Sequence, residues 1–372
     1  MIRRAPAENP DPVEDWFRRS GRRPPSLRYE VRAVLPGGVL ALRTNSPRFF
    51  AYLRERCRPM AAGRDRKPVA TAEIRCLESR GWPGVHPGEG SPAMRNRKAC
   101  GIFHSFREAG RTCVWRSPAL MGCATSGERP RIRVVATPVD PRLCRRPPGG
   151  LRVKSTGEDI DYPEVFDLAL CLFARLRGIS ILHGAVLGNP AGGVLLAGEA
   201  GSGKTTAALA LVRGGYRLLT DEYAALWRQG RHRGRFGGVL VPPMFVGRPP
   251  RSLAALEETM GAAAKTKAAF VLPSSWTRRT PAELRAIVIL ARPERRIRGH
   301  RAEPMDKFEL LSRLMAQLLD PIRGDREDLM AVLLDVVERV PAYRMTVGTE
   351  LATFPAFVEK RMARTGRKRS PA

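Results

Sequence analysis

The pattern of apolar and polar residues is irregular before about residue 150 and becomes regular after about residue 158. In the regular part, residues 163–177 are apolar on most faces and predict a buried helix that begins with a proline. Residues 204–214 predict a second helix, which ends at a pair of glycines. Two later helices are predicted at 306–319 and 325–339. Short, continuously apolar runs predict strands of a sheet that is covered on both faces, at 179–188, 192–197, 216–220 and 286–290.

The first 150 residues are rich in Arg, Pro and Gly and predict a mostly β region. Near its start, a hairpin and a following helix are predicted at 28–34, 38–43 and 46–56. Further strands are predicted at 101–106, 112–117 and 132–139, whereas the rest of 60–130 shows no periodicity. We therefore expect three parts: a basic, partly β and partly disordered region over 1–150, an α/β domain over 158–345, and a C-terminal helix with a basic tail over 346–372.

Composition narrows the classes of function. The 372 residues include 65 Lys and Arg against 36 Asp and Glu, which gives a net charge of +29. A charge of this sign and size is typical of proteins that bind nucleic acid. However, the arginines are scattered, aromatic residues make up only 6% of the chain, and no recognition motif occurs. Nucleic-acid binding is therefore disfavoured. A basic module that binds another acidic partner stays open. No apolar run reaches the roughly 18–20 residues of a membrane span, and the N-terminus has no apolar signal segment.

The seven cysteines are odd in number and include no Cys-x-x-Cys pair. They match neither a disulfide framework nor a zinc site. We therefore expect reduced thiols in a cytoplasmic protein.

One motif carries recognisable chemistry, and it lies between the predicted strand 192–197 and the predicted helix 204–214. It reads Gly198-Glu199-Ala200-Gly201-Ser202-Gly203-Lys204-Thr205 and is followed by Thr206. The glycines allow successive backbone N–H groups to point at phosphate oxygens, and the N-terminus of the helix adds a partial positive charge. Lys204 is expected to reach the β- and γ-phosphates of ATP, and the Thr205 hydroxyl to bind Mg²⁺. The motif therefore predicts a P-loop that binds ATP and Mg²⁺.

Three other side chains are candidates for the chemistry. Asp221 and Glu222 follow the strand 216–220, about one helix and one strand after Lys204. A strand that returns from the P-loop helix would bring them near the phosphates, where one carboxylate could hold Mg²⁺ and the other accept a proton from a substrate hydroxyl. His183 lies among apolar residues just before the P-loop strand, a position that is more often structural than catalytic.

The run from Ile181 to Leu226 resembles the catalytic domain of HPr kinase/phosphorylase and the related serine kinases. The shared features are His183-Gly184, the apolar strand, the P-loop with Lys204-Thr205, the short helix, and Leu218-Leu219-Thr220-Asp221-Glu222. The resemblance implies a compact P-loop fold like that of the phosphoenolpyruvate carboxykinases. It also implies that Asp221, with Glu222 as its companion, is catalytic or linked to the metal, and that His183 lies near the active site.

The same resemblance implies a kinase that transfers the γ-phosphoryl group of ATP to a serine-type hydroxyl on a peptide or protein. It leaves a homo-oligomer open. Two departures count against phosphorolysis and against HPr as substrate: Glu222 stands where the family has Asp, and 234–243 does not match the family's glycine-rich segment. The alternatives are a nucleotide-binding regulator or ATPase without a phosphoacceptor, and the basic binding module.

An arginine cluster after 286–290 could stabilise a transferring phosphate or could be a solvated loop. It comprises Arg292, Arg295, Arg296, Arg298 and Arg301.

Overall fold

The computed structural model shows a mixed α/β protein whose chain divides into two compact units. The first unit consists chiefly of residues before Gly178, and the second chiefly of residues after it. The residues that the structure describes are 12–19, 21, 23–63, 65–77, 98–100, 103–108, 111–116, 120–137, 160, 162–199, 201–221, 223–227, 244–246, 269–271, 274–278, 280–292, 297–319 and 327–366. No helix within these residues is long and apolar enough to cross a membrane.

The first unit is built on an eight-stranded sheet with the order β1-β2-β3-β8-β7-β6-β5-β4. Its strands are β1 (Tyr29–Leu35), β2 (Gly38–Thr44), β3 (Ala70–Cys76), β4 (Lys98–Cys100), β5 (Phe103–Glu108), β6 (Arg111–Arg116), β7 (Leu120–Thr125) and β8 (Arg131–Ala136). Its helices are α1 (Pro12–Arg19), α2 (Pro47–Arg56) and α3 (Tyr162–Leu176). The hairpin and the helix predicted near its start are confirmed, and strands β5, β6 and β8 lie where strands were predicted. Strands β3, β4 and β7 were not predicted.

Helix α3 corrects the predicted boundary at residue 158. The helix packs on β7 and β8 of the first sheet, so that the division between the units follows Arg177. Gly122 in β7 permits this close approach, because a Cβ atom there would lie 2.8 Å from Leu172 and 2.9 Å from Leu168. The buried apolar faces of α3 thus belong to the sheet that precedes the helix in the chain.

The second unit contains a six-stranded mixed sheet with the order β12-β10-β11-β16-β18-β17. Its strands are β10 (Ala185–Asn189), β11 (Gly192–Ala197), β12 (Arg217–Thr220), β16 (Leu284–Leu290), β17 (Arg301–Pro304) and β18 (Ala342–Thr346). Two small sheets pair β9 (Ser180–His183) with β13 (Tyr223–Leu226), and β14 (Met244–Val246) with β15 (Ala269–Val271). Its helices are α4 (Lys204–Arg213), α5 (Lys307–Ala316), α6 (Glu327–Arg339) and α7 (Phe354–Gly366).

Helices cover both faces of this sheet, as the apolar strands predicted. One buried cluster joins the sheet to α4 and α7, and the other joins it to α5, α6, β9 and β13. The predicted strand 179–188 is divided at Gly184 into β9 and β10. A side chain at Gly184 would bring a Cβ atom to 2.8 Å from the carbonyl oxygen of Leu196, so the division requires a glycine.

The strand directions decide what meets at one edge of the sheet. Strands β11, β16 and β18 run parallel, while β10 is antiparallel to both β11 and β12. Since β12 is antiparallel to β10 and β10 is antiparallel to β11, β12 and β11 run in the same direction. The carboxyl ends of β11, β12, β16 and β18 therefore lie at one edge.

Candidate functional site

The loop 198–205 connects the end of β11 to the start of α4 at that edge. Its three glycines have positive φ angles, of 149° at Gly198, 79° at Gly201 and 90° at Gly203. Glycine adopts these angles at little cost, whereas other residues rarely do. Gly203 is the N-cap of α4 and provides no side-chain cap. The N-terminal N–H groups of the helix are therefore available to an anion.

Lys204 reaches back over this loop. Its Nζ donates hydrogen bonds to the carbonyl oxygens of Gly198, at 2.7 Å, and Glu199, at 3.1 Å. Burial lowers the pKa of Lys204 from its ordinary value. A partly desolvated ammonium favours a nearby negative charge, and phosphate oxygens would supply one.

The side chains beside Lys204 differ in exposure. Thr205 is exposed and Thr206 half-buried, while Ala200 lies outside the described residues. The hydroxyl of Ser202 is buried and has no hydrogen-bond partner among the described residues. An unpaired buried hydroxyl is costly, which fits a loop whose polar groups are arranged for a ligand. The loop therefore fits a phosphate-bearing nucleotide.

Asp221 follows the end of β12 and is half-buried. Thr220 is level with Val186 of β10, which is level in turn with Leu195 of β11. Since adjacent strands lie about 4.8 Å apart, the backbone at Asp221 is about 10 Å across the sheet from β11. The structure thus brings Asp221 to the same edge as the loop, whereas Glu222 lies outside the described residues.

His183 is at the end of β9, opposite Tyr223 of β13. Its backbone N–H donates to the carbonyl oxygen of Gln317, just beyond α5, at 2.8 Å. Because Tyr223 follows Asp221 by two residues, His183 lies near the acidic end of β12. The side chain is half-buried.

A cleft of about 330 Å³ opens next to the loop on the side of β16 and β18. Three arginines line it, Arg292, Arg313 and Arg344. The sequence pointed to Arg292 alone among these, as one member of a cluster. Arg298 instead pairs with Glu350 at 2.5 Å, and Arg301 is exposed on β17. Arg295 and Arg296 lie outside the described residues.

The oxygen atoms that could hold Mg²⁺ are few. Within the described part of the chain, no group of three or more His, Cys, Asp and Glu side chains could hold a metal ion by itself. Mg²⁺ commonly binds through one or two protein oxygens together with phosphate oxygens of its substrate. The exposed Thr205 hydroxyl and the Asp221 carboxylate are the chemically suitable groups at this edge.

Comparison with known proteins gives a structural similarity but no family. No protein-family model matches the chain, and no curated protein matches it. Among solved structures, the chain is similar to the Hpr(Ser) kinase/phosphatase from Coxiella burnetii, with 16% sequence identity and a TM-score of 0.22. The match covers 50% of this chain and 95% of that one. A similarity of this size does not establish a family.

Proposed function

We propose that the second unit is an ATP-dependent kinase that transfers the γ-phosphoryl group to a serine-type hydroxyl on a peptide or protein. The observation that carries this proposal is the meeting of the glycine loop and Asp221 at one edge of the sheet. A loop that binds phosphates and a carboxylate that accepts a proton are the two groups that phosphoryl transfer needs most. The fold would then be a compact P-loop kinase of the HPr kinase type.

The loop would bind the nucleotide through its backbone and Lys204. The Lys204 ammonium would exchange the carbonyl oxygens of Gly198 and Glu199 for phosphate oxygens, which carry more charge. The N-terminal N–H groups of α4 would donate to the same phosphates. These contacts fix the position of the phosphoryl group, which is the larger part of catalysis in this class of reaction.

Thr205 and Asp221 would hold Mg²⁺ together with the phosphate oxygens. When bound, Mg²⁺ neutralises charge that develops on the β- and γ-phosphates. Thr205 is exposed at the first turn of α4, so its hydroxyl is accessible to such an ion.

Asp221 would also orient the acceptor hydroxyl. The hydroxyl proton passes to a carboxylate, the acceptor oxygen forms a bond to the γ-phosphorus, and the bond between that phosphorus and the bridging oxygen breaks to release ADP. Either Asp221 or Glu222 could act as the base. His183 would support this acidic group from the neighbouring strand, and its effect is expected to be smaller than that of the base.

The test follows the fate of γ-labelled ATP with Mg²⁺ and a fraction of peptides and small proteins. The wild type should place label on an acid-stable hydroxyl ester. Lys204→Ala should abolish transfer and MgADP binding, while Asp221→Asn should bind MgADP but transfer label at least about a hundredfold more slowly. Label that appears only as free phosphate would indicate an ATPase or regulator. Full activity of Asp221→Asn would refute the role of Asp221.

A further inference from the structure

The arginine cleft adjoins the phosphate-binding loop and shares Gly198, Glu199 and Ser202 with it. Gly201, Gly203 and Lys204, which would surround the phosphates, are not among its lining residues. The cleft is lined on the loop side by Glu199 and Ser202 and on the side of β16 by Arg292, which follows the end of that strand. The remaining lining residues are Ile289, Leu290, Ala291, Arg313, Ala316, Gln317 and Arg344.

Two of the three arginines already contact carboxylates of the chain. Arg313 lies 3.3 Å from Glu199 and 3.8 Å from Glu309, and Arg344 also pairs with Glu309. These pairs are partly exposed and therefore weak, so an incoming anion could replace them. Arg292 has no hydrogen bond or ion pair with any residue that the structure describes. The three arginines and two glutamates leave the cleft with an excess of positive charge.

The position of the cleft connects it to the proposed transfer site. Gln317 lines the cleft, and its carbonyl oxygen accepts a hydrogen bond from the backbone N–H of His183 at 2.8 Å. The cleft thus extends from the start of the loop to the strand that ends at His183. Aliphatic side chains and alanines form part of its wall, and its lining includes no aromatic residue against which a nucleotide base could stack.

We propose that this cleft binds the acceptor peptide through a side-chain carboxylate, with Arg292 as the principal contact. This inference rests on the proposed function and specifies its substrate class as an acidic peptide. Guanidinium groups bind carboxylates through paired, charge-assisted hydrogen bonds. The apolar part of the wall suits the methylene groups of a glutamate side chain, and the volume admits a short peptide segment but not a folded domain.

The test measures binding of two short serine peptides to the full chain saturated with MgADP. One peptide carries glutamates beside the serine and the other carries glutamines, and both have blocked termini so that only side-chain carboxylates differ. By fluorescence anisotropy, the glutamate peptide should bind at least about tenfold more tightly to the wild type. In Arg292→Gln this preference should fall to about threefold or less, while the affinity for MgADP, measured by calorimetry, stays within about twofold.

Arg285→Gln is the matched control. Arg285 lies near the start of β16, whereas Arg292 follows the end of that strand, so Arg285 is at the opposite edge of the sheet. There it pairs with Glu283. Arg285→Gln should change neither affinity. Equal binding of both peptides, or no binding of either, would overturn the inference. Loss of MgADP affinity in Arg292→Gln would assign the cleft to the nucleotide and overturn it as well. A glutamate preference without label transfer would instead refute the kinase proposal alone.

Discussion

Gly198 provides the sharpest test of how the loop is built. It follows the last residue of β11 and has a φ angle of 149°. A Cβ atom at this position would lie 2.8 Å from the carbonyl oxygen of Leu290 in β16 and 2.8 Å from the Ser202 hydroxyl. The carbonyl belongs to Leu290, which pairs with Met345 of β18, and it cannot move without disturbing the sheet. Gly198→Ala should therefore displace the loop.

The cost has two parts. A non-glycine residue in such a backbone conformation costs about 1–3 kcal/mol, and forcing a methyl group into packed surroundings costs about 1–3 kcal/mol more. Gly198→Ala should thus lower local stability by roughly 2–6 kcal/mol. Gly201→Ala is the control, because its φ angle is also positive but nothing lies within 4 Å of a Cβ atom there. Its cost should be only about 1–2 kcal/mol.

Native-state hydrogen exchange of the amides in β11 and β16 measures this difference, since each factor of ten in exchange rate corresponds to about 1.4 kcal/mol of local opening. Calorimetry with MgADP gives the functional consequence. Gly198→Ala should weaken binding more than Gly201→Ala, because it moves the carbonyl to which Lys204 donates. If both variants lost the same amount of protection against amide exchange, the argument that a Cβ atom at position 198 is crowded by its neighbours would be refuted.

Two further predictions concern the stability of the fold. Burial lowers the pKa of His300, whose Nδ1 accepts from the Gly348 N–H at 3.1 Å. As the pH falls, the unfolded chain therefore takes up a proton at this histidine before the folded chain does. The free energy of unfolding should decline below the ordinary pKa of 6.5 until the pH passes the pKa of the folded state. Urea unfolding from neutral to acidic pH should show a smaller dependence of this free energy on pH in His300→Asn than in the wild type. Asp306→Ala removes the N-cap of α5, which accepts from the Glu309 N–H at 2.9 Å, and should cost about 1 kcal/mol by urea unfolding, whereas Asp306→Asn should cost much less.

The elements with continuous apolar runs were predictable from the sequence. The strand before the loop, the helix after it and the two later helices appear close to their predicted bounds. Helix α4 is buried along most of its length because it packs between the sheet and α7, and Gly214 permits that packing at a point where a Cβ atom would lie 2.3 Å from Pro355. Strand β3 was missed because its inward residues are mainly alanines and a cysteine, which give a weak alternation.

The candidate site was predictable only where its residues are neighbours in the chain. The loop and Asp221 belong to one short run, and the strand pattern around them is strong. Arg313 and Arg344 lie more than a hundred positions after the loop and come to it through the pairing of β16 with β18 and through the packing of α5. A mid-helix arginine and an exposed strand arginine have no local signal that separates them from the many other arginines in this basic chain.

The antiparallel strand β10 has a consequence for the proposed reaction. It separates β12 from β11, so Asp221 is about 10 Å across the sheet from the loop strand instead of next to it. At that distance the carboxylate and the loop can act on one phosphoryl group only if the group lies between them. The loop would then bind the phosphates of the departing ADP, and Asp221 would lie on the side from which the acceptor hydroxyl attacks. In-line transfer requires this arrangement. Asp221→Asn should accordingly impair transfer far more than it weakens MgADP binding through the metal, and a loss of MgADP affinity as large as the loss of transfer would show that Asp221 acts only on the nucleotide side.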